Sequence, residues 1–537
     1  MIAELLGSAI ARRKLPVSVS DGKALSPPTR RPRTTLHVGS LVAAVALIAL
    51  HLAADARSPD LATLDQQQFI THLEAAISRG MIGGDIPGVS VLLVRGGRPI
   101  WSQAFGYADR EQGVALSSHD VMMAHSISKS VSAWGVMRLV DQGLIDLDDP
   151  VVDHLDGWQF PNSPYDARSV TVRRLLSLNA GVPLGPIGVH YAPEEEVPAL
   201  EASLVGDSVR LFREPGSGFA YSNSSFALLE LLIERVTGRV FAEYMETEVL
   251  RPLGMHAARF VWDPTWEVPL GYRIDGTPVE PFLYPNRASG GLFATIHDLG
   301  RFAAATVTAP GDVAESPLLS AAARTEMYAP QVAIPGIFGV VSDSYGLGHF
   351  LEELPGGYPA VWHGGQGLGW MTHFHGIPET GDAIVILTNS QRSWPFMAHI
   401  LGDWSRWVGL GPVGMSRITG AVTSMRILVG LLFLFALWRT VTIVLDLAGG
   451  QRRLALGRFG TIWPRGVELL VALSMTAAVV WASQQEYLFI TSVFPRETPR
   501  FAASLIVTAG ALVFSALFPV QTGQTSWRAY SGRGFPT

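Results

Sequence analysis

The chain has 537 residues, of which 48% are hydrophobic and 16% are charged, and its formal net charge is −6. This length exceeds one ordinary domain, and the composition is more apolar than that of a typical soluble protein. The mild negative charge provides no basic field for nucleic acid, and the absence of cysteine excludes disulfides, thiolate catalysis and cysteine-ligated zinc.

The N-terminal part divides into two segments. Residues 1–35 are polar and basic, which predicts a disordered segment on the cytoplasmic side of a membrane. Residues 36–56 contain an apolar run, Val38–Ala54, at the short end of the length that spans a bilayer. A basic flank before an apolar core predicts a transmembrane signal anchor with its N-terminus inside. Cleavage at Ala54-Asp55-Ala56 is the alternative.

Residues 65–410 are predicted to form one globular region, with strands near both ends and helices between them. Gln67–Arg79 has an amphipathic pattern, and a helix at Phe396–Val408 closes the region. The predicted strands are Val89–Val94, Ile100–Tyr107, Met371–Gly376 and Ala383–Thr388. This arrangement predicts a mixed α/β (α+β) fold, in which an antiparallel sheet flanked by helices joins the two ends and a helical subdomain is inserted.

Within this region, Ser126–Gly143 is predicted to be a helix, because its apolar residues recur at helical spacing and its last residue is glycine. The helix opens with S-I-S-K, in which Ser126 and Lys129 are three residues apart and share one face. The chain has only two other lysines, Lys14 and Lys23. Because lysine can lose its proton and act as a base, whereas arginine stays protonated, Ser126 and Lys129 are a candidate nucleophile and base. An ordinary surface lysine is the alternative.

A second candidate group, Tyr221-Ser222-Asn223, stands directly before the apolar-periodic helix Ser224–Val236. Tyr221 and Asn223, separated by one residue in an extended turn, can point the same way. A tyrosine can donate and accept a proton, and an asparagine can hold a substrate carbonyl. The alternative is that Asn223 is simply the cap of the helix that follows.

The third group is H-G-G-Q, in which His363, Gly364 and Gly365 are followed by Gln366 and lead toward the Met371 strand. The glycines would let a substrate approach the backbone closely, and the Gln366 amide could help to bind an oxyanion. A turn with a hydrogen-bonded histidine is the alternative. The other histidines do not have the spacing of a metal site, so no metal is expected.

The last part of the chain, 418–521, differs in composition. It contains three apolar runs of about spanning length, Ile418–Trp438, Val467–Ala482 and Phe501–Val520. The loop between the first two runs is rich in arginine, so the positive-inside rule predicts that it lies in the cytoplasm. Because successive spans alternate in direction, the tail 522–537 is then also predicted to be cytoplasmic. The sequence therefore predicts a multi-pass protein of the cell membrane, with 65–410 outside the cytoplasm.

The three motifs S-I-S-K, Y-S-N and H-G-G, in this order, resemble the serine β-lactamase and penicillin-binding protein superfamily. The closest resemblance is to its class C β-lactamase-like branch, which includes D-alanyl-D-alanine carboxypeptidases, D-aminopeptidases and esterases. Further stretches that match this branch are Leu176–Val182, Glu214–Gly216, Val249–Met255 and Ala288–Leu292. The resemblance covers most of 65–410 and does not extend to the three C-terminal runs.

The resemblance implies a role for each matching residue. Ser126 would be the acylated nucleophile, and Lys129 and Tyr221 would share the duties of base and acid. Asn223 would hold the substrate. The backbone N–H groups of Ser126 and Gln366 would form the oxyanion hole.

One departure from the family pattern bears on substrate choice, because His363 stands where penicillin-recognising members usually have the lysine of K-T-G. A mostly neutral histidine is a poorer partner for the carboxylate of a penicillin or a D-alanyl peptide. Slow acylation by penicillins and faster turnover of short esters or small amides are therefore expected. With an ordinary histidine pKa of about 6.5, penicillin acylation is expected to rise as the pH falls toward that value.

The sequence thus predicts a membrane-anchored serine hydrolase that acts through a covalent acyl-serine intermediate on an ester, amide or peptide. Its expected partners are a small-molecule or peptide substrate and the lipid bilayer, with no cofactor and no nucleic acid. The alternative is a non-catalytic, penicillin-binding-like sensor or binding module coupled to the membrane helices. The complete set of Ser126, Lys129 and Tyr221 argues against it, since a binder would be free to lose the nucleophile.

Overall fold

The structure is a computed structural model that describes residues 60–186, 188–308, 318–336, 338–455, 462–485 and 489–520. The predicted basic segment 1–35, the predicted signal anchor 36–56 and the predicted tail 522–537 lie outside the described residues.

The strands follow one another along the chain in two groups, one near each end of the globular region. They are β1 (Gly88–Arg95), β2 (Arg98–Asp109), β3 (Val114–Ala115), β4 (Met122–Met123), β5 (Gly271–Tyr272), β6 (Pro278–Val279), β7 (Phe293–Ala294), β8 (Val332–Ala333), β9 (Ser344–Tyr345), β10 (Phe350–Leu354), β11 (Tyr358–Gln366), β12 (Met371–Ile377) and β13 (Asp382–Thr388).

Nine of these strands form one antiparallel sheet in the order β3-β2-β1-β13-β12-β11-β10-β9-β8. Strand β1 from the start of the region pairs with β13 from its end, with Val91 opposite Ile386. The predicted closure of the sheet by its two chain ends is confirmed. Strands β1, β13 and β12 are adjacent in the interior of the sheet, and almost all of their residues are buried on both faces.

The helices lie mostly between the two groups of strands and after the last one. They are α1 (Gln66–Gly84), α2 (Ile127–Asp141), α3 (Val172–Leu176), α4 (Leu200–Ser203), α5 (Asn223–Thr237), α6 (Phe241–Met245), α7 (Ile296–Val307), α8 (Ala321–Met327), α9 (Trp394–Trp407), α10 (Arg417–Ala448), α11 (Ile462–Ser483), α12 (Phe489–Val493) and α13 (Glu497–Leu517). Shorter helical turns are Leu61–Thr63, Val151–His154, Ala167–Ser169, Gly206–Ser208, Glu246–Leu250, Phe338–Val340 and Gly414–Ser416.

Helices cover both faces of the sheet. Helices α1 and α9 pack on each other, with the rings of Phe69 and Trp407 stacked at 4.2 Å, and α9 meets β12 through Trp404 and His375. Helix α7 covers the opposite face, where Phe302 contacts Phe374 of the same strand. Adjacent residues of a strand point to opposite faces, so β12 is enclosed by helices on both sides.

Helix α2 is the predicted helix that opens with S-I-S-K, and almost all of it is buried. It ends as predicted, since Gly143 follows with a positive φ of 68°, a conformation that glycine adopts without steric cost. Its first turn points toward the end of β11, whose last residues carry the H-G-G-Q motif. The strand β11 itself was missed by the sequence analysis, which expected a turn or loop at the motif.

Three helices among the described residues are long and apolar enough to cross a membrane: Gly414–Ala448, Trp463–Ser483 and Glu497–Leu517. The last of them, α13, packs against both α10 and α11. Charged pairs join them, including Arg426 with Glu497 at 2.8 Å, and Arg439 with Glu468. Many large apolar side chains on these helices remain exposed, as expected for surfaces that face lipid.

Candidate active site

The candidate nucleophile Ser126 stands at the start of α2. It occupies the N-cap position, but its side chain makes no capping hydrogen bond, so the hydroxyl is available for other contacts. The preceding residue, His125, has a φ of 49°, in a left-handed conformation that costs energy for a residue with a side chain. The chain therefore turns sharply into the helix at the residue before the hydroxyl, which is half-buried.

The ammonium group of Lys129 is held by three oxygen acceptors. Its Nζ donates to Ser126 Oγ at 3.1 Å, to Asn223 Oδ1 at 2.8 Å and to the Ser289 carbonyl at 2.8 Å. The side chain is fully buried, and burial lowers the pKa of Lys129 to about 7. The alternative of a surface lysine is therefore excluded, and a neutral amine is accessible near neutral pH.

The alternative of a capping role for Asn223 is also excluded. The cap of α5 is Ser222, whose backbone is extended and whose Oγ accepts from the Ser225 N–H at 2.9 Å. Asn223 is the first residue of the helix, and its side-chain oxygen faces Lys129. In Y-S-N, the middle residue Ser222 therefore caps the helix, and the last residue Asn223 contacts Lys129 in the site.

Tyr221 forms an aromatic wall beside the lysine. Its ring centroid lies 4.9 Å from Lys129 Nζ, within the range of a cation–π contact. The ring also stacks in near-parallel orientation with Phe338 and Phe350, at centroid distances of 6.2 and 6.4 Å. The structure brings Tyr221 to the site, and its predicted part in proton transfer stays a prediction.

His363 lies on β11 and is fully buried, with both ring nitrogens hydrogen-bonded. Nδ1 lies 2.9 Å from the Gly364 carbonyl, so this nitrogen donates, and Nε2 accepts from the Tyr345 hydroxyl at 3.1 Å. Burial and the nearby charge of Lys129 hold the pKa of His363 well below its usual value. The structure corrects the expectation of a titration near pH 6.5, because the ring is neutral well below that pH.

Close backbone approach explains the glycines of H-G-G-Q. A Cβ on Gly365 would lie 2.2 Å from Thr372 Oγ1 and 2.3 Å from the Ala124 carbonyl, so no side chain fits there. A Cβ on Gly364 would meet the ring of Trp394 at 2.6 Å on the other face. The strand can therefore lie directly against the loop that precedes the nucleophile.

Gln366 uses its side chain and its backbone differently. Its Nε2 donates to Ser492 Oγ at 2.8 Å and its Oε1 accepts from Trp394 at 2.9 Å, so the side chain faces α9. The expectation that the side-chain amide binds an oxyanion is therefore corrected. The Gly367 N–H donates to the carbonyl of Trp370, the residue before β12, and neighbouring N–H groups on a strand alternate in direction, so the Gln366 N–H points away from β12.

Two features of the site were missed by the sequence analysis. The Ser289 carbonyl that holds Lys129 belongs to a turn whose Arg287 and Ala288 N–H groups donate to Glu230 Oε2, at 2.6 and 2.8 Å. Glu230 is fully buried on α5, and burial raises its pKa to about 7. The available signal was Glu230 itself, a glutamate in the middle of the apolar-periodic segment of α5, which periodicity alone cannot connect to a turn far along the chain.

The parts of the chain that the structure describes contain no group of three or more histidine, aspartate or glutamate side chains arranged to hold a metal ion. The pair His373 and His375 lies on β12, and His375 meets only one carboxylate, that of Glu352 at 3.2 Å. The groups that the site does bring together, the Ser126 hydroxyl and the buried Lys129 amine, are suited to nucleophilic attack by the hydroxyl with the amine as base.

Comparison with known proteins agrees with this geometry. A family profile described as Beta-lactamase matches residues 73–400, more than half of the chain. Protein flp of Staphylococcus aureus (strain MRSA252) is 27% identical over 222 residues, which cover 40% of this chain and 43% of that protein. The chain thus spans less than half the length of this relative. Penicillin-binding protein 4* of Bacillus subtilis (strain 168) is 24% identical over 337 residues, which cover 58% of this chain and 70% of that protein.

The fold also has a counterpart among solved structures. The octameric penicillin-binding protein homologue from Pyrococcus abyssi matches with a TM-score of 0.55 and 24% identity, over 64% of this chain and 78% of that one. The fold predicted from the sequence, an antiparallel sheet with flanking helices and an inserted helical part, is confirmed, and so is the predicted family resemblance.

Proposed function

Because the chain belongs to the β-lactamase family, we propose that it is a membrane-anchored serine hydrolase that acts through an acyl-enzyme on Ser126. The observation that carries the proposal is the hydrogen bond of 3.1 Å between Ser126 Oγ and Lys129 Nζ, in which the lysine is fully buried and titrates near neutral pH. A nucleophile beside a base of lowered pKa is the arrangement that acyl transfer requires.

The steps follow from these positions. Neutral Lys129, with Tyr221 beside it, accepts the proton of Ser126 as Oγ attacks the substrate carbonyl. The oxyanion of the tetrahedral intermediate accepts hydrogen bonds from the backbone N–H groups of Ser126 and Gln366. The intermediate collapses with cleavage of the bond to the leaving group, which takes the proton from Lys129. A water molecule then attacks the acyl-serine, and its proton passes through the same groups to restore Ser126. Asn223 holds Lys129 and the bound donor.

The proposed donors are uncharged near the reacting bond: esters, small amides or peptides. The residue in the place of the third-motif lysine, His363, is neutral and has both nitrogens engaged within the protein. A carboxylate placed there would lack the charge-assisted hydrogen bond that is roughly twice as strong as a neutral one. This supports slow acylation by penicillins, although penicillin-binding protein 4* carries that ligand in its name.

We place the catalytic domain, residues 65–410, outside the cytoplasm and the segment 418–521 in the cell membrane. Three apolar helices support the anchorage. Arg452 and Arg453 support the orientation, since they follow directly after α10, at its end that is remote from the catalytic domain.

A second candidate function is a penicillin-binding-like sensor that signals through the membrane helices without turnover. The contact between Gln366, next to the site, and Ser492, between α11 and α13, favours it because it joins the pocket strand to the membrane part. The two candidates differ in deacylation. A sensor would stay acylated after one equivalent of donor, whereas a hydrolase would release the acyl group repeatedly.

The proposal is tested with the full-length protein in detergent and a p-nitrophenyl ester. Ser126→Ala should lower kcat/KM by about 10⁴ or more, because it removes the nucleophile. It should also abolish the gain in mass on exposure to acyl donors. Ser78→Ala, a change at an exposed serine on α1, is the control and should behave as the parent. Equal rates for Ser126→Ala and the parent would refute the assignment.

A further inference from the structure

The strand that carries the H-G-G-Q motif contacts the membrane part of the chain. Gln366 donates to Ser492 at 2.8 Å, and Ser492 lies on α12, in the connection between the membrane helices α11 and α13. Ser492 is buried, and Val493 beside it packs in the same apolar core as the catalytic domain. This connection therefore docks beside the site and is not a free loop between two spans.

The opposite wall of the site also reaches the membrane part. The ring of Tyr221 stacks on Phe338 at 6.2 Å, and the carbonyl of Val340, two residues later, accepts from Arg417 Nη1 at 2.7 Å. Arg417 is the first residue of α10. Just before it, the Gly414 N–H donates to the buried Glu352 carboxylate at 2.6 Å. The entry of the first C-terminal span is thus held on the catalytic domain.

These two links fix where the site lies relative to the membrane. A helix of the length of α10 extends roughly 48 Å from Arg417, at 1.5 Å per residue, so its far end is remote from the catalytic domain. The start of α10 contacts Val340 and Glu352 of the domain, and α12, which connects α11 to α13, contacts Gln366 at the site. The site is therefore at the membrane-proximal end of the domain.

Two aliphatic side chains remain exposed at this junction. Val340 is 51% exposed and Ile490 is 43% exposed. Val340 follows Phe338 by two residues, and Ile490 precedes Ser492 by two, so each is close along the chain to a contact that reaches the site. We define Val340 and Ile490 as the junction surface. An aliphatic side chain beside helices that enter a bilayer can bury its apolar area against a lipid chain.

We propose that the site takes donors held in the membrane: an amphiphile whose ester or amide reaches Ser126 while its apolar chain stays in the outer leaflet, along the junction surface. This inference rests on the proposed hydrolase function and specifies its substrate class. The covalent step is unchanged, since Ser126 Oγ bonds to the donor carbonyl and the bond to the leaving group breaks. The membrane supplies the local concentration of donor, and the junction surface guides the chain.

The test uses the full-length protein reconstituted in phosphatidylcholine vesicles, which carry no net charge. Two fluorogenic acetyl esters serve as donors, with the same reacting group and with or without a dodecyl chain on the leaving group. The readout is the ratio of kcat/KM for the chain-bearing ester to that for the soluble ester. We expect a ratio of about ten or more in the parent, as apolar chains partition into the bilayer and present the ester at its surface.

Variants then locate the effect. Val340→Asp and Ile490→Asp should each lower this ratio by about fivefold or more. An apolar chain packed against the new carboxylate would remove it from water without a compensating partner, which costs free energy. Val205→Asp is the matched control, since Val205 is 60% exposed and belongs to the helical part of the domain, and it should keep the parent ratio. Ser126→Ala gives the background for both donors.

The outcomes separate the two claims. A ratio near one in the parent, with turnover that depends on Ser126, overturns the inference and leaves the hydrolase function standing. A high ratio that Val340→Asp and Ile490→Asp do not change, or that Val205→Asp lowers equally, overturns the assignment to the junction surface. Turnover of neither donor above the Ser126→Ala background overturns both.

Discussion

Lys129 is central to the proposed chemistry because, among the described residues, it is the cation buried against the candidate nucleophile Ser126. Its three acceptors are a hydroxyl, an amide and a carbonyl, none of which carries a charge. An ammonium without a carboxylate partner is poorly stabilised in a buried position, so burial favours the neutral amine that can accept a proton. The scarcity of lysine in the chain was a useful signal, since a residue type that is otherwise avoided stands where its titration matters.

The first prediction at this scale concerns Lys129→Arg. The substitution keeps the positive charge but cannot supply a neutral amine, so acylation should fall by about 10³ or more. Single-turnover acylation followed by mass spectrometry measures it. Lys23→Arg is the chemically matched control and should leave the rate unchanged. Substantial acylation by Lys129→Arg would show that the lysine acts only as a charge and that Tyr221 takes the proton.

The second prediction concerns pH. The pKa of Lys129 is about 7 in the folded protein, so kcat/KM for a soluble ester should rise with pH through that value and level off above it. Because the pKa of His363 lies well below its usual value, penicillin acylation should follow the same rise and show no gain near pH 6.5. A pH profile from about pH 5 to pH 9 for both donors tests this. A penicillin rate that increases toward acid would contradict it.

At the scale of elements, the parts with strong periodicity were predictable. Helix α2, the strands β1, β2, β12 and β13, and the three apolar runs have local patterns that neighbouring residues determine. Strand β11 was missed because its two glycines resemble a turn, whereas the packed loop at Ala124 requires them. The contacts of Glu230 with a distant turn, and of Gln366 with Ser492, join residues far apart in sequence, so no local pattern could indicate them.

We expect Glu230 to be a positioning residue, because its contact joins α5 to the turn that holds Lys129. Glu230→Leu would leave the N–H groups of Arg287 and Ala288 without acceptors, at a cost of roughly 1–3 kcal/mol each. We expect a lower Tm and a lower kcat. We also expect the acid limb of the pH profile to move to lower pH, because the Ser289 carbonyl would no longer stabilise the ammonium.

Glu230→Gln is the conservative counterpart. Its side-chain oxygen can still accept from both N–H groups, so the Tm and the acid limb should stay close to those of the parent. Thermal unfolding and the pH profile of ester hydrolysis measure both variants. If Glu230→Leu lowers the Tm but leaves the acid limb in place, Glu230 only stabilises the fold and does not position Lys129.

At the scale of the whole molecule, the charges and the contacts are both consistent with the proposed arrangement in the membrane. Helix α10 leaves the catalytic domain at Arg417, α11 returns toward it, and α12 docks beside Gln366 before α13 leaves again. The residues after α10 include Arg452 and Arg453, which the positive-inside rule assigns to the cytoplasm. The catalytic domain and α12 then share the opposite side.

The absence of cysteine from the chain allows this orientation to be tested without background labelling. Single cysteines are placed at three exposed positions: Gln451→Cys after α10, Gln484→Cys after α11 and Val205→Cys in the catalytic domain. A membrane-impermeant maleimide added to intact cells should label Gln484→Cys and Val205→Cys. It should label Gln451→Cys only after the membrane is permeabilised, because that turn lies at the far end of α10. The parent chain should remain unlabelled.

Labelling of Gln451→Cys alone in intact cells would invert the orientation and put Ser126 in the cytoplasm. Labelling of Val205→Cys and Gln484→Cys on different sides would be incompatible with the contact between Gln366 and Ser492, and with the membrane-held donor that depends on it.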